Sequence, residues 1–322
     1  MISHTEVLKT VYLLLVITGV PGNCYLIYSY GFHFITQTKP KHIDLLLMHL
    51  LFVNTLFLLF RGIPSALHSW GLKYFLNDVV CKITIYLQRV YRGLTLCSTC
   101  LLSGFQTITI SPSSPKWAAL KARGPKCVFP CCVLCWILNL LIDAALPVYA
   151  IGPRNNTKSK WRNKLDHCSL DPYATNILNI QLWKSIYDSI FVAFMVVSSG
   201  YMVYVLHRHR QRVQHIHSIS PTPRASPEIK ATKVIMLLVS IFFFFNTTCS
   251  ILTTYIDYSQ VTDPWAQNIA TIMTMSFQAV SPFVLISSDT RIPQIFHSFF
   301  QRMKYSSTAT LPTISHQTPK MS

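Results

Sequence analysis

Charge is scarce in this sequence: Asp, Glu, Lys and Arg make up 12% of 322 residues, while 51% are hydrophobic and the mean hydropathy is +0.36. Together with several apolar runs of roughly twenty residues, that balance excludes a soluble two-domain protein and indicates a polytopic membrane protein. Catalytic signatures are missing too. There is no H-E-x-x-H, no G-x-S-x-G, no P-loop and no pair of intramembrane aspartates in a plausible motif, so the chain reads as a non-enzyme that needs no cofactor. No internal repeat appears, which removes the duplicated halves common in transporters. No separate cleavable signal is visible either, and the first apolar run is long enough to span as an uncleaved anchor. Acidic residues are the rarest charges, 11 against 28 Lys and Arg, for a net charge of +17. The basic residues sit mainly between apolar runs and are not interleaved with a nucleic-acid motif. Phospholipid headgroups, rather than nucleic acid, are therefore the expected counter-charge.

What is present is a series of seven apolar segments, expected as helices over residues 7–30, 43–67, 81–112, 127–149, 180–206, 231–255 and 265–287. The fold class is an all-α membrane protein, a seven-transmembrane helix bundle with its amino terminus outside. Residues 1–6 form a short extracellular amino terminus, 7–287 the transmembrane domain, and 288–322 a cytoplasmic tail. Residues 111–126 are polar and basic and read as a loop, and so does the long polar segment 152–173. The fifth helix continues into HRHRQRVQHIH with helical spacing and should project into water. The orientation follows from placing sixteen Lys and Arg in the cytoplasm and ten outside, two more lying within the third helix. It leaves the sequon at Asn155 outside, as a glycosylation site. Of the ten cysteines, only Cys81 and Cys168 fall at outer loops or helix ends, where oxidation is permitted, and a bridge between them would pre-shape the mouth of the bundle. Cys97-x-x-Cys100 and Cys132-x-x-Cys135 have the form of metal or redox motifs. They lie in apolar helices without a histidine cluster and read as packing residues, so no metal site is expected.

The third segment organises the rest. It carries Arg89 and Arg92 one turn apart, with Gly93, Cys97, Cys100 and Gly104 at spacings that put small side chains on one face. An arginine facing lipid at mid-membrane costs about 2.5–3.5 kcal/mol on insertion scales, so both should face a polar interior. Two readings of them stand side by side. One is a structural ion pair with Asp143 or Asp188. The other is a positive, partly apolar pocket for a ligand with an acidic group, walled in part by Tyr86, one turn from Arg89. Ligand binding is thus expected of Arg89, Arg92, Tyr86, Asp143 and Asp188.

The run RVYRGLTLCSTCLLSGFQTITISP from Arg89 to Pro112 resembles the signature of vomeronasal type-1 receptors. So do His49-Leu50 with Asn54, the run SSGYMVYVLHRHRQRVQHIH from Ser198, and SPFVLI from Ser281. The resemblance covers nearly the whole chain. It implies a pheromone-type G protein-coupled receptor of the plasma membrane, multi-pass, binding a small pheromone-like ligand and acting on a heterotrimeric G protein of the inhibitory class. The competing class, a membrane transporter or channel, needs a continuous polar path and an even or repeated span architecture. The slot of the Asp/Glu-Arg-Tyr switch of rhodopsin-like receptors holds Phe105-Gln106-Thr107, and Ser281-Pro282-Phe283 stands where an Asn-Pro motif is expected. No familiar switch residue carries over.

Overall fold

The computed structural model describes residues 4–36, 42–71, 78–112, 114–151, 169–170, 177–216, 227–259 and 264–288. In chain order the helices are α1 (His4–Thr36), α2 (His42–Phe57), a π-helical turn (Leu58–Gly62) running into α3 (Ile63–Ser69), α4 (Asp78–Ile110), α5 (Pro115–Ile142), α6 (Leu146–Tyr149), α7 (Ile177–Ile216), α8 (Pro227–Ser259) and α9 (Pro264–Ser288). Two short strands, β1 (Ala150–Ile151) and β2 (Ser169–Leu170), pair antiparallel with Ala150 opposite Leu170. They tie the end of α6 to the segment that precedes α7. Seven helical stretches are long and apolar enough to cross a membrane, the second made of α2, the π turn and α3 together. The chain is therefore a multi-pass, all-α membrane protein.

The fourth span begins earlier than its composition suggests. Residues 115–126, expected as a loop, belong to α5. Pro115 is the reason: in the first turn of a helix its missing N–H would have no partner anyway, and Ser114 enters in extended conformation. Prolines at 125 and 130 are then carried inside one continuous helix. The charged residues of loop-like composition form its polar first turns, and Lys121 Nζ reaches back to the carbonyl of Ser111 at 2.7 Å.

Prolines inside the spans release backbone carbonyls, and no water in a bilayer can satisfy them. Side chains from neighbouring helices do so here. Pro282 has no N–H for the carbonyl of Gln278, four residues back; Asn23 of α1 donates to it at 3.0 Å. Pro64 likewise offers nothing to the carbonyl of Phe60, which accepts from Gln88 Nε2 of α4 at 3.0 Å. Close approach at these points needs glycine. A Cβ on Gly19 would lie 2.6 Å from Leu58 Cδ1 and 2.9 Å from Ala279 Cα, and one on Gly62 would collide with Val16 and sit 2.8 Å from Met275 Cε.

Helix α4 is the axis of the bundle, touching α2, α5, α7 and α8. In its most apolar stretch 61% of residues are buried, against 17% in the fifth span. One apolar cluster joins Leu26, Leu50, Leu102, Leu238 and Phe277; a second, nearer Cys81, joins Tyr12, Phe57, Val90, Leu94 and Met275. Between α2, α4 and α5, His49 is held by Trp136, whose Nε1–H donates to Nε2 at 2.9 Å, and by Ser98 Oγ, 2.9 Å from Nδ1. That geometry makes Nε2 the acceptor and puts the ring proton on Nδ1.

Candidate functional site

Residues three apart on a helix point about 60° from each other, so on an axis packed on all sides they meet different neighbours. Arg89 and Arg92 divide in this way. Arg89 turns toward α5, where its Nε lies 3.6 Å from Asp143 Oδ1. Asp143 is fully buried at the carboxyl end of α5, the negative end of the helix dipole and a poor place for an anion. A second cation compensates: Lys184 of α7 brings Nζ to 3.2 Å from Asp143 Oδ2 and 3.9 Å from Asp188 Oδ1. Lys184 also donates to Asn139 Oδ1 at 3.2 Å, and Asn139 Nδ2 donates to the Cys135 carbonyl at 2.9 Å and to Tyr187 Oη at 3.2 Å. The result is a charged junction of α4, α5 and α7. Gly93 makes room for it, since a Cβ there would overlap Asn139 Oδ1 and lie 2.7 Å from Lys184 Nζ. The small residue one turn from Arg89 thus admits polar side chains, where close backbone packing was expected.

Arg92 points the other way. Its Nη2 lies 3.5 Å from Ser250 Oγ of α8, and it borders a narrow crevice between α4, α8 and α9, with room for about one water molecule. Phe242, Phe245 and Phe277 supply apolar wall; Asn246, Thr274 and Gln278 supply polar groups. On the α2 side of α9, the π turn carries Arg61 inward. Its Nη1 donates to Gln88 Oε1 at 2.6 Å and its Nη2 to Thr271 Oγ1 at 2.7 Å, one turn along α9 from Thr274. Tyr12 Oη donates to Asn268 Oδ1 at 3.0 Å, closing the same region from α1.

Of the expected ligand set, the structure gathers Arg89, Asp143 and Asp188 around Lys184, while Arg92 reaches toward Ser250 of α8 and still lies within the field of Asp188. Tyr86 turns to α5, and its hydroxyl donates to the carbonyl of Leu140 at 3.0 Å, one of the last-turn carbonyls of that helix. Cys81 is buried and disulfide-bonded. The expected partner Cys168 and the expected glycosylation site Asn155 lie outside the described residues. Cys97, Cys100, Cys132 and Cys135 are free and buried. Among the described residues no three His, Cys, Asp or Glu side chains come together as a metal site. The sequence reading misses Lys184, which falls among the charges it places outside the membrane, and Asn139. The available signal is spacing: Lys184, Tyr187 and Asp188 share one face of α7, as Asn139 and Asp143 do at the end of α5.

The chain is similar to known proteins over most of its length. The model of the vomeronasal organ pheromone receptor family matches residues 7–298. Vomeronasal type-1 receptor 1 of Gorilla gorilla gorilla is 39% identical over 279 residues, 86% of this chain and 78% of the relative. Vomeronasal type-1 receptor 3 of Homo sapiens is 38% identical over 285 residues, 87% of this chain and 90% of the relative. Among solved structures, squid rhodopsin superposes with a TM-score of 0.71 over 94% of this chain and 87% of that one, at 14% identity, a likeness of fold alone. Family model, relatives and seven-span bundle agree, and the chain belongs to the vomeronasal organ pheromone receptor family.

Proposed function

We propose that this protein is a pheromone receptor of the plasma membrane. With its amino terminus outside, it binds a small ligand in the half of the bundle nearer Cys81 and activates a heterotrimeric G protein of the inhibitory class. The observation that carries this reading is convergence: in a chain of this family, polar side chains from the π turn, α5, α7 and α8 gather at the central helix α4 within two turns of Arg89, and a Tyr12–Asn268 contact joins α1 to α9 beside them. A ligand that favours one of two packings of those helices shifts the bundle between them. On the opposite face of the membrane, the extension of α7 to Ile216 and the polar first turns of α5 offer basic surface to a G protein. A bridge from Cys81 to Cys168 and a glycan on Asn155 complete the outer face in this reading.

The receptor expressed with inhibitory-class G protein should accelerate guanine-nucleotide exchange when a small-molecule library contains an agonist, and should carry no ligand-dependent current. A current or solute uptake without nucleotide exchange would favour the transporter class. No feature of the bundle favours that class, and the likeness to receptors extends across nearly the whole chain.

A further inference from the structure

Beyond the charged junction, α7 is fastened at a second place. Of residues 196–208, its inner stretch, only Ser198 and Met202 are buried, so few apolar contacts fix where this arm lies. Trp117, in the first turn of α5, stacks on Tyr201 with ring centroids 5.8 Å apart and planes 26° from parallel. Ser111 Oγ, just past the end of α4, lies 3.5 Å from Tyr201 Oη, and Thr107 Oγ1 of α4 lies 3.3 Å from the carbonyl oxygen of Ser198. Lys121 joins the same cluster from α5 through the Ser111 carbonyl. One set of contacts thus ties α4, α5 and α7 together at the end of the bundle away from Cys81. Its aromatic part can open at small cost. Both rings are only half-buried, and Ser111 Oγ also donates to the Thr107 carbonyl at 2.6 Å. Withdrawal of Tyr201 therefore leaves the Ser111 hydroxyl with a partner.

We infer that Trp117 and Tyr201 form an autoinhibitory latch. The two elements it joins, the polar first turns of α5 and the overhang of α7, are the surfaces assigned above to the G protein, so this inference rests on the receptor reading. A shift of α7 between two packings of the bundle moves Tyr201 relative to α5, and the stack opposes that movement. Closed, the latch holds α7 against α4 and α5 and keeps nucleotide exchange low. Open, it frees the inner arm for the second packing. About 22 Å of helix lies between Tyr201 and Ile216 and moves with the arm. A stacked aromatic pair shifts an equilibrium by about two- to tenfold, enough to set a basal level and weak enough for a ligand to overcome.

The test uses the full chain in phosphatidylcholine nanodiscs and makes two measurements. Amide hydrogen exchange reads the latch without a G protein, and guanine-nucleotide exchange on an inhibitory-class G protein, with no ligand added and per folded receptor, reads its consequence. Trp117→Ala and Tyr201→Ala should each speed amide exchange over residues 201–216 and leave residues 182–195 unchanged. Each should also raise ligand-free nucleotide exchange by about two- to tenfold. The double variant should do no more than the stronger single one, because both remove one shared contact. Tyr201→Phe keeps the ring and should stay near wild type. Trp183→Ala, at an exposed position near the other end of α7, should move neither measurement. Where Trp117→Ala does not fold, Trp117→Leu fills the space without stacking and takes its place. The inference is overturned if amide exchange over residues 201–216 is unchanged. It is also overturned if that exchange quickens without a rise in nucleotide exchange in a receptor that a library agonist still activates. A loosened α7 in a chain that no compound drives to nucleotide exchange overturns the receptor reading, and the autoinhibitory role with it, leaving the stack as a contact of the fold.

Discussion

Replacing Asp143 with asparagine keeps the shape of the junction and removes its shared charge. The carboxylate lies 3.6 Å from Arg89 Nε and 3.2 Å from Lys184 Nζ. At an effective dielectric constant near 20, each pair is worth about 5 kcal/mol of attraction before desolvation. Breaking a buried pair costs about 3–5 kcal/mol net, because the partner stays behind uncompensated. Two features reduce that cost here. Lys184 retains Asp188 at 3.9 Å, and 20% of the Arg89 side chain is exposed. The expected loss is therefore about 2–3 kcal/mol, roughly a 30- to 160-fold fall in the ratio of folded to unfolded receptor. Purified Asp143→Asn protein should melt earlier, and an epitope-tagged form should reach the cell surface poorly. Adding Arg89→Gln removes the cation that has lost its nearest carboxylate, while Lys184 still faces Asp188, so the double variant should recover much of both losses. An Asp143→Asn protein that melts and traffics like wild type, or a double variant no better than the single one, would refute this account.

Three further outcomes are expected. Asn23→Leu removes the shorter of two side-chain donors to the carbonyl of Gln278, leaving Ser281 Oγ at 3.4 Å, and should cost about 1 kcal/mol in the thermal unfolding of purified receptor; adding Pro282→Ala supplies an N–H to that carbonyl and should return part of the loss. Gly93→Ala inserts a methyl group into the Asn139–Lys184 contact and should destabilise by about 1–3 kcal/mol, more than the helix propensity gained, and a stabilised variant would show that the junction can yield. Trp136→Phe leaves His49 Nε2 without its donor and should cost about 1–2 kcal/mol, which a double variant with His49→Phe should partly remove.

The spans are legible in the sequence because apolar runs of membrane length are hard to mistake. Their ends are not. Pro115 reads as a break, although in the first turn of a helix it is a start, so the expected fourth span begins a dozen residues late. Pro64 is legible as an interruption, but that it produces a π turn and swings Arg61 toward Gln88 depends on the helices beside it. At the site, the ion pair of Arg89 with Asp143 stands among the sequence alternatives and is present in the structure. The separation of Arg89 from Arg92 does not. Spacing says that two side chains are near each other on a helix, whereas their partners depend on which neighbour packs at each angle. Lys184 lies inside the expected fifth helix yet is counted with the outer charges, because a count of positive residues ignores depth.

The fifth span has a consequence of its own. At 40 residues α7 is about 60 Å long, twice the hydrocarbon thickness of a bilayer of about 30 Å. Fewer of its residues are gripped by the bundle than in any other span. It behaves as a loosely seated lever: a tilt of about 5° around its middle would swing each tip by about 2–3 Å. Lys184 holds one arm, and the basic overhang that ends at Ile216 rides on the other. A disturbance at one end is thereby delivered at the other with no chain of intermediaries.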